Sequence, residues 1–354
     1  MIEKDELREQ VRATVAGLIA DGRETGVQVC AYLGGEVLLD EAFGVAHDTP
    51  IFSFSTGKGL TATVVHVLAE RGEIDYDLRI ADVWPEYAAH GKGDTTLRHA
   101  LTHSAGVPAL PADITRAELT DWDHMCALLA DMTPLWTPGS RYGYHAWTYG
   151  FLVGETVRRA TGRALSQVLA DDVAAPLGAD GELFLAVPDG DLPRLATLED
   201  GNLSEAMESI SKFLVNFDRI APPGVRPGVE LGNDPAVLRA EVPAVGTVTA
   251  RAAARMYAAL IGEVDGVRLI SPERLREATT LAMTGDDWAT GSPAPRGLGY
   301  QLDDEFFGAS GNGGSIAYAF PALGLTVAAT KTLLSAGKDD PMEDLRRLIR
   351  QTFP

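Results

Sequence analysis

Cysteine is scarce in this chain of 354 residues. Cys30 and Cys126 stand far apart and form no C-x-x-C pattern, which excludes a disulfide framework or a zinc knuckle and reads as two reduced core residues. Long apolar runs are missing as well: no stretch reaches about 18 consecutive apolar residues, the length a spanning helix needs. The opening Met1-Ile2-Glu3-Lys4-Asp5-Glu6-Leu7 alternates charge and has no apolar h-region, so a cytoplasmic location is expected. Positive charge is in deficit, with 30 Lys and Arg against 50 Asp and Glu and a formal net charge of −20. Nucleic acids and anionic membranes need a basic footprint, so neither is expected as a partner, whereas a small uncharged or cationic substrate is allowed. The clustered acids read as a solvated face. Also missing are a Gly-x-Ser-x-Gly elbow and a Gly-rich phosphate loop, which disfavours an α/β-hydrolase or a P-loop enzyme. There is no repeat of fixed period. His66 and Glu70 share a helical face but lack a third ligand, so no metal is expected.

What remains is an ordinary globular composition, 45% hydrophobic and 23% charged. At this length it suggests two domains or one large domain with an insertion. From Glu3 to Ala20, Leu7, Val11, Val15, Leu18 and Ile19 keep helical spacing, and Gly22 is placed to stop the helix. The runs Val27 to Leu33 and Glu36 to Phe43 flank Gly34-Gly35 and read as a tight hairpin. After Ser55 a second helical stripe carries Leu60, Val64, Val67 and Leu68. From about Ile80 to Ala244, short helical patterns are broken by proline and glycine, as expected of a loop-rich helical insertion. Thr249 caps a further helix through Ile261. Strand signals return at Leu298 to Leu302, Ser315 to Phe320 and Leu325 to Ala329, before a helix near Met342 to Thr352. The Leu281 to Pro295 loop reads as a mobile surface segment. Similar elements at the two ends predict that both termini share one sheet.

The sharpest chemical feature is Ser55-Thr56-Gly57-Lys58. Residues three apart on a helix share a face, so the Ser55 hydroxyl and the Lys58 amine can meet. Serine is a poor nucleophile until a base removes its proton. Holding a lysine neutral at pH 7 against an ordinary value of about 10.4 costs about 4.6 kcal/mol, which burial, a neighbouring cation and the positive end of a helix can each help to meet. The first turn of that helix also offers the Ser55 N–H to a developing oxyanion.

Further segments appear in a consistent order. Phe52 to Lys58 is followed by Ala69 to Asp77, by Leu101-Thr102-His103-Ser104-Ala105-Gly106-Val107, by Pro138-Gly139-Ser140-Arg141-Tyr142-Gly143-Tyr144-His145, and by Gly308 to Ser315 ahead of Ile316 to Pro321. In this order the chain resembles the serine β-lactamase and penicillin-binding-protein superfamily, and within it the class C-like branch that includes family VIII carboxylesterases. The resemblance implies an α+β fold: an antiparallel sheet flanked by helices, formed by residues 1–79 and 245–354, with a mostly helical lobe at 80–244 and the active site between them. It implies a nucleophile at Ser55, a base at Lys58 and a partner phenol at Tyr144, with Tyr142 as the rival. The Lys58 and Tyr144 pair would share a proton whose place sequence cannot assign.

The departures from the family pattern are equally informative. The usual Y-x-N reads Tyr144-His145-Ala146, without the amide. The usual K-T-G or H-x-G reads Ala309-Ser310-Gly311, without the cation that faces a substrate carboxylate and helps to keep the lysine neutral. Lys331-Thr332 does not restore it, because Leu333 follows. In the resemblance, the Asn312 N–H completes an oxyanion hole with that of Ser55, and Ser310, Gly311 and His145 face the substrate; the glycine run also reads as a tight turn. His99 and His103 are expected to be structural. The implied activity is hydrolysis of small esters through an acyl-enzyme. Transfer of the acyl group to an amine or alcohol is one alternative, and a catalytically silent protein of the same fold is another. No cofactor is required, and the oligomeric state is left open.

Overall fold

The structure is a computed structural model that describes residues 4–214 and 216–336. Helix α1 (Lys4–Ala20) buries Leu7, Val11, Val15 and Leu18 on one stripe. Strands β1 (Val27–Leu33) and β2 (Glu36–Phe43) form the expected hairpin, with Gly34 at φ +61° and Gly35 at +85°. Positive φ at both central residues matches the right-handed twist of the flanking strands.

Helices α2 (Gly57–Glu70), α3 (Thr148–Thr161) and α4 (Ala250–Ile261) follow, then strands β3 (Gln301–Leu302), β4 (Phe307–Ser310), β5 (Ile316–Phe320) and β6 (Leu325–Lys331). The six strands form one sheet in the order β2-β1-β6-β5-β4-β3, antiparallel throughout. Both ends of the described chain therefore contribute to one sheet, as predicted. β1 and β6 pair from Val27 with Lys331 to Leu33 with Leu325.

Strand alternation decides which layer each side chain meets. Val27, Val29 and Ala31 of β1, with Leu325, Val327 and Ala329 of β6, pack against α1. Cys30, Tyr32 and Ala328 point the other way, into the main core with α4. On that face the Thr326 hydroxyl donates to the Ala254 carbonyl of α4 at 2.9 Å. The Thr249 hydroxyl accepts from the Ala252 N–H and caps α4 as expected.

Residues 80–244 contain many short helices. A three-stranded antiparallel sheet joins this region to the rest: Thr247–Val248 lies between Ile51–Phe52 and Leu183–Phe184. Helix α2 runs through the main core, with every residue from Gly57 to Ala69 buried. A helix buried all round needs partners for its polar members; His66, for example, bonds the Tyr76 hydroxyl and the Leu298 carbonyl, at 2.7 and 3.0 Å.

Two expectations need adjustment. Only Gln301 and Leu302 of the Leu298 to Leu302 run enter the sheet; Leu298 to Tyr300 instead pack against α2, where Gly299 lies so close to Ala62 and Tyr149 that a Cβ would clash. The Leu281 to Pro295 loop reaches inward and lines the central cavity, so it is more than surface. The helix expected near Met342 to Thr352 lies outside the described residues.

Candidate active site

Ser55 sits in a 3₁₀ turn, Phe54–Thr56, that leads directly into α2. Phe54 has φ +48°, a left-handed conformation that costs an aromatic residue about 1–3 kcal/mol. Its surroundings hold it there: the Ser53 N–H donates to the Gly246 carbonyl at 2.8 Å, and the Gly246 N–H donates to the Phe54 carbonyl at 3.0 Å. The Phe54 ring packs edge-on against Phe52 at 4.8 Å. Gly57 then begins α2 so close to residue 245 that a Cβ would stand 2.0 Å from the Val245 carbonyl carbon. Only glycine fits at that crossing.

Two side chains converge on the Ser55 hydroxyl. The Lys58 amine lies 3.1 Å from Ser55 Oγ and also donates to the carbonyls of Ala146 at 2.8 Å and Ala244 at 2.9 Å. The Tyr144 hydroxyl donates to Ser55 Oγ at 3.0 Å. In a neutral lysine the two carbonyls would take both N–H groups, leaving the lone pair directed at the serine. Lys58 Nζ also stands 5.0 Å from the centroid of the Tyr144 ring. Burial holds the Lys58 amine below its ordinary value, with Arg296 contributing in the same direction and Tyr144 opposing. Burial by itself would push the Tyr144 phenol up; Lys58, the hydrogen bond to Ser55 and Arg296 together bring it below its usual range. The pair is thus poised to exchange one proton near the serine.

These groups line a cavity of about 330 Å³, which also includes Ser310, Gly311 and Asn312. Gly311 passes so close to the Ser53 carbonyl oxygen that a Cβ would stand 2.0 Å away, which accounts for glycine there. The Gly311 N–H donates to the Ser315 carbonyl and the Gly314 N–H to that of Gly311, so the segment is a tight turn as well as a close approach. The N–H groups of Ser55 and Asn312 have no acceptor among the described residues. Ser310 Oγ donates to Gln301 at 3.4 Å.

His145 is not among the residues lining the cavity. It is fully buried, with Nδ1 2.6 Å from the Gly143 carbonyl and Nε2 accepting the Val107 N–H at 3.1 Å. Burial pushes its pKa down to about 4, so it holds the turn as a neutral ring and does not face substrate. Tyr142 does line the cavity, but its hydroxyl accepts from Arg296 Nε at 3.1 Å and burial pushes its phenol up to about 12. Between the two tyrosines, the geometry favours Tyr144. Both His66 nitrogens are engaged, and no group of three or more metal-binding side chains exists among the described residues.

Sequence reasoning passed over Asp287 and Arg296 of the cavity and gave His103 no chemical role. His103, expected to be structural, borders it with φ +56°, stacks on Tyr149 at 4.9 Å, and accepts the His145 N–H through Nδ1 at 3.2 Å. Burial keeps this imidazole neutral. Asp287 accepts the Tyr144 N–H at 2.9 Å and so fixes the phenol's backbone. Arg296 supplies a cation from the segment just before β3. Neither Asp287 nor Arg296 belongs to a motif; the absence of the third-motif cation was the one signal that a substitute should be sought.

An antiparallel sheet between helices, with a serine, a lysine and a phenol meeting at one cavity, defines the β-lactamase class of protein. The Beta-lactamase family matches residues 11–351, and the chain belongs to that family as one of its enzymes. Among individual relatives, it is 34% identical over 340 residues to the Esterase/beta-lactamase LipL of Mycobacterium tuberculosis, covering 88% of this chain and 78% of that protein. The crystal structure of a family VIII carboxylesterase superposes with a TM-score of 0.85 and 32% identity, covering 97% of each chain. A Monacolin J acid methylbutanoyltransferase of Aspergillus terreus is 28% identical over 158 residues, 37% of each chain. Among the described residues, no helix is long and apolar enough to cross a membrane.

Proposed function

We propose that the protein hydrolyses small esters through an acyl-enzyme at Ser55. The observation that carries this reading is the meeting of Lys58 Nζ and the Tyr144 hydroxyl at Ser55 Oγ, at 3.1 and 3.0 Å, inside the cavity. The Ser55 proton passes to the Lys58 and Tyr144 pair as Oγ bonds to the ester carbonyl carbon. The carbonyl oxygen gains the negative charge and meets the N–H groups of Ser55 and Asn312. Collapse of this adduct breaks the bond to the alkoxy group, which leaves as the alcohol with the proton returned by Tyr144. Water then adds to the acyl carbon, giving up a proton to the same pair, and the acid departs as Ser55 regains its hydrogen.

Replacing Ser55 with alanine is expected to abolish hydrolysis of 4-nitrophenyl acetate; undiminished turnover by that variant would reject the reading. The likeness to the methylbutanoyltransferase supports a second reading, transfer of the acyl group to an amine or alcohol. Product analysis with an added amine decides between them, since free acid as the sole product speaks against transfer. A cytoplasmic location belongs to this proposal and is supported by two buried free thiols. So does a division of the chain near residues 80 and 244, with residues 80–244 as a lobe that brings Tyr144 to Ser55.

A further inference from the structure

The cavity contains a cation to which the ester chemistry above gives no contact with substrate. Arg296 is anchored by reciprocal backbone bonds with Met283, at 2.9 and 3.1 Å, and by a bridge to Gln301. Gln301 in turn pairs with Gly308 on β4, next to Ala309, the position where the third-motif cation is missing. Arg296 therefore brings a guanidinium to the same edge of the sheet from the neighbouring segment. Its Nε donates to the Tyr142 hydroxyl, and its Cζ stands 5.7 Å from the ring centroids of both Tyr142 and Tyr144. The two terminal nitrogens make no hydrogen bond, and no carboxylate lies within 4.0 Å of them, among the described residues.

Asp287, the acid on the cavity wall, is already engaged by the N–H groups of Tyr144 and Ala289 and by the Thr290 hydroxyl. The cavity wall is poor in large apolar groups; Pro293 is the bulkiest aliphatic side chain on it. A guanidinium with free N–H groups in a polar cavity matches a carboxylate in shape and charge. The net charge of −20 repels anions at a distance. Screening limits that field to about 8–10 Å in physiological salt, so a cation within the cavity governs the final approach.

We propose that Arg296 is the anion-recognition residue of the cavity and that the preferred ester carries a carboxylate. This rests on the acyl-enzyme reading at Ser55 and narrows its substrate class. The carboxylate can lie on the acyl side or on the alcohol side of the scissile bond. Two matched pairs of esters distinguish these: mono-4-nitrophenyl glutarate against 4-nitrophenyl pentanoate, and 4-acetoxybenzoate against its methyl ester.

The quantity to read is the ratio of kcat/KM for the charged and neutral member of each pair. Wild-type protein should favour the charged member of one pair. Arg296→Gln should lower that ratio by about tenfold to a hundredfold, mostly through KM, and Arg296→Lys should restore part of it. A ratio that the Gln variant leaves unchanged in both pairs overturns the proposal. Should that variant fail to fold, the wild-type protein still provides a test: glutarate should inhibit hydrolysis of 4-nitrophenyl acetate competitively, and 1,5-pentanediol should not. Equal behaviour of the two overturns the proposal. Wild-type turnover of neutral esters with no charge preference defeats the anion inference alone, whereas failure to turn over any ester defeats it together with the acyl-enzyme reading beneath it.

Discussion

Replacing Tyr144 with phenylalanine removes one oxygen from the cavity and little else. That oxygen donates to Ser55 Oγ at 3.0 Å, and in the proposed reaction it returns a proton to the departing alkoxide. Lys58 remains 3.1 Å from Ser55 Oγ in the unaltered structure, so attack should persist while protonation of the leaving group suffers. A positioned general acid or base contributes about 10² to 10⁴ in rate, or roughly 2.7 to 5.5 kcal/mol. The expected result is a fall of that size in kcat for an alkyl ester such as ethyl acetate, whose alkoxide cannot leave without a proton, with KM changed only slightly. The fold should tolerate the change, because one lost hydrogen bond costs about 1 kcal/mol. Circular dichroism and thermal melting establish that the variant is folded, and initial rates measured from pH 6 to 9 give kcat. A Tyr144→Phe enzyme retaining kcat within about threefold of wild type would refute the role given to the phenol.

Two further outcomes follow from the same geometry. Because the Lys58 and Tyr144 pair must have lost one proton before it can act as a base, kcat/KM should rise with pH through an apparent value below the ordinary lysine pKa. Lys58→Arg should remove that limb from the pH profile along with most of the activity, and an unchanged profile in the variant contradicts the assignment. Gly57→Ala places a Cβ 2.0 Å from the Val245 carbonyl carbon, a clash of backbone with side chain that cannot be relieved by rotation. It should destabilise the protein by about 1–3 kcal/mol and displace Ser55; a melting temperature and rate equal to wild type would contradict that account.

Local patterns were legible in the sequence because each has a local cause. The hairpin at Gly34-Gly35 and the Thr249 cap rest on residues within a few positions of one another. The pairing of Ser55 with Lys58 follows from helical spacing alone, and the place of Tyr144 followed from the resemblance. Contacts between remote segments were not legible. Asp287 holds Tyr144 across 143 positions, and Arg296 reaches Tyr142 across 154. Neither interaction leaves a periodicity; Asp287 lies within, and Arg296 directly follows, a loop whose composition reads as surface. His145 shows the converse: the resemblance implied a substrate contact next to Tyr144, but its ring turns inward to satisfy the backbone of Gly143 and Val107. The short reach of β3 has a similar origin, since Leu298 to Tyr300 have the composition of a strand but are claimed by packing against α2.

The central claim is that Ser55 carries the acyl group during turnover, and trapping that species tests it most directly. Wild-type protein should be quenched in acid within the first turnovers of a slowly deacylating ester, then measured by intact mass and mapped by peptide fragmentation. The account predicts one added acyl group, located on Ser55 and absent from Ser55→Ala. Ester hydrolysis with no adduct at Ser55, or with the acyl group found on another residue, would contradict it.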